Sequence, residues 1–423
     1  MKRPTFPVRN RRRNPEVPIV QDFLKKLFQA YYREANVDSL LPSDLPKREM
    51  AFILFDKKGM VRHKGFLNGK DYKAFLVSNV PQHLYYSATL YHSPWKERID
   101  EKGYIGCDLI FDIDCDHIDT PCKADHDTWK CLSCEQAGAG KAPATCPACG
   151  GSKFDEKGWL CDTCLEKSKT ETRKLIDGFL TTDFHIDQDK LGIYFSGQRG
   201  YHVHVEQDAF QGLSAEARRE IADYITGTGL SVRFSAKGQT ITGFSTKDPG
   251  WRGKIAAALS NVLDALDDPA TRAGLGTPFI KQLAANKRTL KKRLDACDPN
   301  WMVPGIGFAG WNKIIEFLVA SARCEIDVPV TIDIHRLIRS PGSLHGKSGF
   351  KICKLRRDQL DRFDPFTDSV VFKGGEQKVK MIDDVPLFRI EDNALGPYAK
   401  DDVETMSLGA AVYLLCKNKA ILA

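Results

Sequence analysis

Nine of the chain's thirteen cysteines fall between Cys107 and Cys164, six of them as C-x-x-C pairs. That clustering limits the fold more than any other feature. A stretch so rich in thiols, with Gly, Pro and Lys between them, makes a poor hydrophobic core, so residues 115–166 are read as an insertion held by metal. The chain has no apolar leader segment and is read as cytosolic, where clustered thiols bind metal rather than form disulfides. The candidate ligands are Cys122, His126, Cys131, Cys134, Cys146, Cys149, Cys161 and Cys164, enough for two tetrahedral Zn²⁺ sites. Cys131, Cys134, Cys146 and Cys149 have the spacing of a zinc ribbon. Cys122, His126, Cys161 and Cys164 would form a second site at its base. Cys131 and Cys134 pairing instead with Cys161 and Cys164 is the alternative. Four protein ligands leave no open position, so both sites are assigned to structure. Cys107 and Cys115 are placed on a strand, outside the ligand sets, and Cys297, Cys324, Cys353 and Cys416 are read as ordinary buried thiols.

Immediately before the insertion, Leu109-Ile110-Phe111-Asp112-Ile113-Asp114 places two carboxylates two residues apart in an apolar strand. Successive strand side chains point to opposite faces, so Phe111 and Ile113 can enter a core while Asp112 and Asp114 stand side by side. Neighbouring carboxylates repel and rise in pKa unless a cation lies between them. Mg²⁺ or Mn²⁺ would do that, and a pair of such ions is the usual apparatus of nucleotidyl transfer. The bland alternative is a strand with one wet face.

Two later segments carry compatible chemistry. Ser196-Gly197-Gln198-Arg199-Gly200-Tyr201-His202-Val203-His204 joins two short strands. Its glycines allow close backbone approach, Arg199 suits phosphate, and His202 and His204 share a strand face. Further on, Asp327 and Asp333 offer carboxylates, and Arg336, Arg339, His345 and Lys347 form a basic group within twenty residues. A carboxylate followed by clustered cations fits a metal ligand beside a nucleotide's phosphates. Gly138-Ala139-Gly140-Lys141 is not a P-loop, because Glu135 and Ala142 stand where glycine and a hydroxyl residue are needed.

The remaining organisation follows from length and pattern. At 423 residues the chain can build two or three domains. No apolar run approaches the length of a membrane span. The net charge of +7 is concentrated at the start, where Lys2, Arg3, Arg9, Arg11, Arg12 and Arg13 precede the first acid, Glu16. Residues 1–18 are therefore read as a disordered basic tail. A catalytic core is expected over 19–114, 167–208 and 301–423, interrupted by the zinc insertion at 115–166 and a helical subdomain at 209–300. Residues 19–36 read as an amphipathic helix, Tyr104–Asp114 as one strand, and Asp401–Leu422 as an apolar helix. Strands and helices in mixed order argue for an α+β fold.

Taken together, the D-x-D at Asp112 and Asp114, the S-G-x-R-G-x-H-x-H run from Ser196 to His204, and Asp327 followed by Ser343-Leu344-His345-Gly346-Lys347 resemble the small catalytic subunit of the archaeal and eukaryotic-type DNA primase. The resemblance covers about residues 25–360; a weaker fourth motif is Lys47–Phe52, with Arg62-His63 after it. It implies that Asp112, Asp114 and Asp327 bind two Mg²⁺ or Mn²⁺ ions, with Asp333 as the rival to Asp327. It implies that Ser196, Arg199, His202, Arg339, His345 and Lys347 hold a nucleoside triphosphate, with Glu49 and Arg62 in the same site. It further implies a mixed α/β catalytic core with a zinc knob, and template-directed synthesis on single-stranded DNA. The partner would be a large subunit in a heterodimer, and the location cytoplasmic in an archaeal-type cell or nuclear in a eukaryotic one. A gap-filling or repair polymerase with the same core is the nearest alternative. A zinc-ribbon nucleic-acid-binding protein without activity is a more distant one.

Overall fold

The structure, a computed structural model, describes residues 17–230, 235–237, 240–296 and 300–423. The basic tail up to residue 16 and Cys297 lie outside the described residues. The chain divides into two compact units. The first takes residues up to Lys169, Leu191–Leu213 and Asp333–Ala423; the second takes Thr170–Lys190 and Ser214–Ile332. Among the described residues no helix is long and apolar enough to cross a membrane.

The first unit is built on two antiparallel sheets. Its core strands are β1 (Arg48–Leu54), β2 (Met60–Lys64), β3 (Pro81–Tyr91), β4 (Tyr104–Cys107), β5 (Leu109–Asp114), β6 (Leu191–Phe195), β7 (Gly200–Val205), β8 (Leu337–Arg339) and β9 (Cys353–Leu355). One sheet has the order β8-β3-β1-β2, with β4 also beside β3; the other has the order β9-β6-β7-β5. The strands β6 and β7 are buried along their whole length, whereas β2 alternates as an exposed edge. The first helix, Val17–Glu34, buries Val20, Leu24, Phe28 and Tyr32, one residue per turn.

Tyr104–Asp114 is not one strand. The chain changes sheets at Asp108, so β4 pairs with β3 and β5 pairs with β7. Asp108 is buried and its carboxylate meets the Arg48 guanidinium at 2.5 Å, while Gln211 donates a second hydrogen bond at 3.1 Å. Arg48 also donates to the carbonyls of Ser87 and Ala88. An ion pair removed from water needs such full satisfaction, and it ties the crossing point to both β1 and β3. Cys107 stays on β4, but Cys115 lies in the turn after β5, where its amide donates to the carbonyl of Arg199.

The apolar helix expected over Asp401–Leu422 is shorter. Val403–Ser407 and Ala420–Leu422 are strands on either side of Glu376–Met381, and only Leu408–Cys416 is helical. The β-branched residues Val403 and Thr405 favour a strand, and Ser407 caps the helix by accepting from the amide of Ala410.

In the insertion, Thr128–Cys131 pairs with Ala137–Ala139 and Phe154–Lys157. Gly138 is required there, since a Cβ would stand 2.5 Å from the Trp129 ring. The second unit is helical, with Ala215–Thr226, Gly250–Asp264, Thr277–Asp295 and Phe308–Ala322; Trp301 and Trp311 are buried in it with ring centroids 5.3 Å apart, and Tyr224 of the first of these helices accepts from the Trp251 indole at its carbonyl. It takes in residues 170–190 and 301–332 besides the helices between 209 and 300. Helices and antiparallel sheets thus combine in an α+β chain.

Candidate active site and metal centres

The alternation of β5 separates its two faces. Phe111 and Ile113 are fully buried, and Asp112 and Asp114 occupy the other face. Across the ladder, Asp112 is opposite His202 and Asp114 is opposite Gly200. Gly200 has no alternative, because a Cβ would lie 2.0 Å from the carbonyl oxygen of Ile113. His202 Nε2 is 3.5 Å from Asp112 Oδ1. Burial pushes the His202 pKa down to about 3, so the imidazole is neutral, and its Nδ1 has no hydrogen-bond partner among the described residues. Asp114 moves the other way. Burial, then the neighbouring charges of Asp116 and Asp112, push it up to about 6, although its Oδ1 accepts from the amide of Asp116. Burial and like charge together work against its ionisation.

The loop before β7 is fixed by its own hydroxyl. Ser196 Oγ accepts from the amides of Gly200 at 3.2 Å and Gln198 at 3.4 Å. The carbonyl of Gly197, which has φ +80°, accepts from Ser348 Oγ at 2.5 Å, joining the loop to the Ser343–Lys347 turn. His345 in that turn is buried, and burial with the charge of Arg339 keeps its ring neutral. Arg339 lies on β8 opposite Tyr85 and over its ring, 5.0 Å from the centroid. It donates to His83 Nδ1 at 2.9 Å. Burial lowers the Arg339 pKa, while Tyr85 and then Asp112 and Asp114 act in the opposite direction. Lys347 is exposed at the end of the turn.

His83 and Tyr85 on β3 belong to no motif of the sequence. Burial and Arg339 push His83 down to about 3, and its Nδ1 accepts from both Arg339 and the amide of Gly346. The proton of the neutral ring is therefore on Nε2. Only the pairing of β3 with β8, some 250 residues later in the chain, brings these side chains to the basic cluster.

Other expected site residues have specific partners. Arg199 is buried, and its guanidinium meets Asp116 at 2.7 Å and Asp127 at 3.3 Å. Glu49 is buried on β1 and accepts from Lys102, from Arg62 at 3.0 Å and from the amide of His63. Burial would raise its pKa, but Lys102 and Arg62 outweigh that and hold it low. Asp327 falls in the second unit, immediately before the short helix Val328–Ile332. Its rival Asp333 opens the last segment of the first unit, where its carboxylate accepts from the amide of His335.

The eight expected thiol and imidazole ligands gather as two groups. Cys122, His126, Cys161 and Cys164 form one and Cys131, Cys134, Cys146 and Cys149 the other, with all ligand atoms in a group within 4.8 Å of one another. The alternative pairing of Cys131 and Cys134 with Cys161 and Cys164 is not adopted. Sulfurs of Cys122 and Cys164 are 3.5 Å apart, as are those of Cys161 and Cys122; Cys131–Cys149 and Cys134–Cys146 are 3.6 Å apart. A tetrahedral ion with metal–sulfur bonds of about 2.3 Å would set its sulfurs about 3.8 Å apart, so the donors fit zinc closely. Amides of Cys134 and Ser133 hold the Cys131 thiol down to about 6, favouring the thiolate a metal needs. Cys115 adjoins the first group, and its contact with Cys164 pushes its thiol up.

Asp127 joins the first metal group to the loop. His126 Nδ1 donates to Asp127 Oδ1 at 2.7 Å, which leaves Nε2 toward Cys164. The same carboxylate accepts from the amide of Trp159 at 2.9 Å and from Arg199 at 3.3 Å. A carboxylate behind a ligating histidine fixes its tautomer and orientation.

Residues 155–357 match the family model described as DNA primase small subunit. Among curated relatives, the chain is 34% identical to the DNA primase small subunit PriS of Methanothrix thermoacetophila, covering 85% of this chain and 89% of the relative. It is 32% identical to that of Methanococcoides burtonii, over 94% of this chain and 97% of the relative. It is 29% identical to that of Nitrosopumilus maritimus, over 95% and 98%.

Proposed function

The chain belongs to the DNA primase small-subunit family, and from that premise we propose that it is a primase catalytic subunit making short RNA primers, and DNA primers where deoxynucleotides are taken, on single-stranded DNA. The observation that carries the reading is the placement of Asp112 and Asp114 opposite His202 and Gly200, with Arg339 acting on both carboxylates. The first unit is read as the catalytic core, the insertion as its zinc module, and the second unit as a variable helical subdomain. A large subunit would complete a heterodimer. Work on a chromosomal template would put the enzyme in the cytoplasm of an archaeal-type cell.

Asp112 and Asp114 would hold two divalent cations, Mg²⁺ or Mn²⁺, which when bound activate an attacking 3′-hydroxyl and neutralise charge on the leaving pyrophosphate. Asp327 is assigned as the third carboxylate by its motif alone, and Asp327→Asn tests that role. The neutral His202 ring offers an unpartnered nitrogen to a phosphate oxygen. Arg339 and Lys347 supply positive charge, and neutral His345 a polar ring edge. Ser196 shapes the loop by accepting from its amides. Arg199, held by Asp116 and Asp127, fixes the loop against the insertion. Preorganised donors of this kind stabilise developing charge without reorganising.

The direct test supplies unprimed single-stranded DNA, Mg²⁺ or Mn²⁺ and labelled nucleotides to the chain with its large subunit. De novo oligomers are expected. Primer extension without any de novo product would point instead to a gap-filling polymerase.

The carboxylate pair also sets a pH dependence. Asp114 binds its proton more tightly folded than unfolded, so its stabilising contribution is full below about pH 4 and lost as pH rises through about 6. A displacement of that size corresponds to about 2–3 kcal/mol at neutral pH. A bound cation removes the repulsion. Mn²⁺ is therefore expected to raise the melting temperature more at pH 7.5 than at pH 5. Asp114→Asn should raise the Mn²⁺-free melting temperature at pH 7.5 and abolish the difference. Equal Mn²⁺ shifts at both pH values in scanning fluorimetry would count against the assignment.

A further inference from the structure

Lys417 follows the C-terminal helix Leu408–Cys416, and no motif reaches it. Its ammonium lies over the rings of Trp159 and Tyr413, 5.5 and 5.7 Å from their centroids. Its hydrogen bond is long, 3.4 Å to the carbonyl of Gly158. Among the described residues it forms no ion pair. Burial, then the charges of Arg199 and Lys347, push it down to about 8 against the smaller opposing pull of Asp116 and Asp127.

The same ammonium lines a cleft of about 1180 Å³ whose wall includes Gln198, Arg199 and Lys347. Arg199 is neutralised by Asp116 and Asp127, but among the described residues Lys347 and Lys417 are not paired in this way. Six carboxylates also line the cleft: Asp116, which pairs with Arg199, Asp384 and Asp402, which accept from the amides of Lys400 and Ala399, and Asp125, Asp155 and Glu156 of the insertion. The charges of Lys417 and Lys347 both act on His345, and Lys347 also acts on His83. Through Gln198 and Lys347 the cleft borders the Ser196–Gly200 loop and the turn that carries His345. A desolvated cation beside a second cation is unfavourable unless an anion joins them.

We propose that Lys417 is a further phosphate-binding residue, which with Lys347 and Gln198 takes the terminal phosphates of the incoming nucleoside triphosphate. The inference rests on the polymerase reading and adds a contact from the C-terminal helix to that site. Lysine serves here as a point charge already held over two aromatic rings.

The test compares ATP and AMP binding to the full-length chain, in Mg²⁺, for the wild type, Lys417→Met and Lys417→Arg. Methionine keeps an apolar stem against Trp159 and Tyr413. Loss of a charge-assisted bond should weaken ATP by about tenfold or more in Lys417→Met, leave AMP within about twofold, and be largely restored in Lys417→Arg. Extension of a 5′-hydroxyl primer should show the same rise in KM with little change in kcat. The ATP-to-AMP ratio is insensitive to a loss of folded protein, which lowers both equally. An unchanged ratio overturns the proposal, as does an effect confined to the first bond of unprimed synthesis, which would assign the contact to the initiating nucleotide. A collapsed ratio in a protein that makes no primers upholds the site and sinks the primase reading instead.

Discussion

Asp112→Ala should abolish nucleotide joining, lowering it by at least about a thousandfold, because several kcal/mol of transition-state charge stabilisation go with the cation it would hold. Single-stranded DNA binding, read by fluorescence anisotropy, should stay within about threefold, since that affinity comes mainly from cations on phosphates. The stability change is expected to be small. Asp114, beside it, is already pushed up to about 6 with Asp112 among the causes, and Arg339 is attracted to both carboxylates. Removing Asp112 relieves the repulsion and gives up that attraction, so the two effects oppose. A melting temperature close to that of the wild type, measured without divalent cation, separates lost activity from unfolding. Retained synthesis in Asp112→Ala would refute the metal-site assignment.

The second large effect is expected at the base of the insertion. Cys164→Ser removes a ligand from the group with Cys122, His126 and Cys161, and Cys146→Ser removes one from the other group. Structural zinc contributes on the order of 10 kcal/mol to small metal-held folds, comparable with the whole stability of a domain. Each variant should therefore fall from two zinc ions per chain to one by elemental analysis. Their functional consequences should differ. The first group is wired through His126 and Asp127 to Arg199, whose carbonyl accepts from the amide of Cys115 directly after the D-x-D strand. Cys164→Ser should raise the KM for nucleotide and speed hydrogen exchange in the Ser196–Gly200 loop. Cys146→Ser should loosen only the ribbon. Equal effects of the two on the loop would break the proposed link.

What the sequence reveals is chemistry that is local along the chain. The D-x-D strand, the glycine-bounded loop and the division of eight ligands into two groups all have spacings that act within a few tens of residues. His83 and Tyr85 are illegible there, because their role exists only once β3 pairs with a strand from residues 337–339. Asp108 is hidden for a related reason. Between Cys107 and Leu109 it looks like one more strand position, and only Arg48, sixty residues earlier, makes it the point where the chain changes sheets. The C-terminal segment misleads through composition: Met406, Val412, Leu414 and Leu415 read as one apolar helix, whereas the strand at 403–407 is set by its partner at 376–381. Lys417 carries no signal at all until its cleft is formed.

The strand order has a consequence for how such a chain is made. The edge strand β8 pairs with Ser87, Tyr86 and Tyr85 of β3, and β9 pairs with Phe195, Tyr194 and Ile193 of β6. Both partners leave the ribosome long before residues 337–355 do. At about 5–20 residues per second, the edge of β6 stays open for on the order of ten seconds. The helices of Ser214–Ile332 are contiguous in sequence and can fold during that interval. The sheets that carry Asp112, His202 and Arg339 are therefore completed after those helices. A nascent or truncated chain ending before Leu337 presents two unpaired strand edges, the kind of surface that recruits other chains.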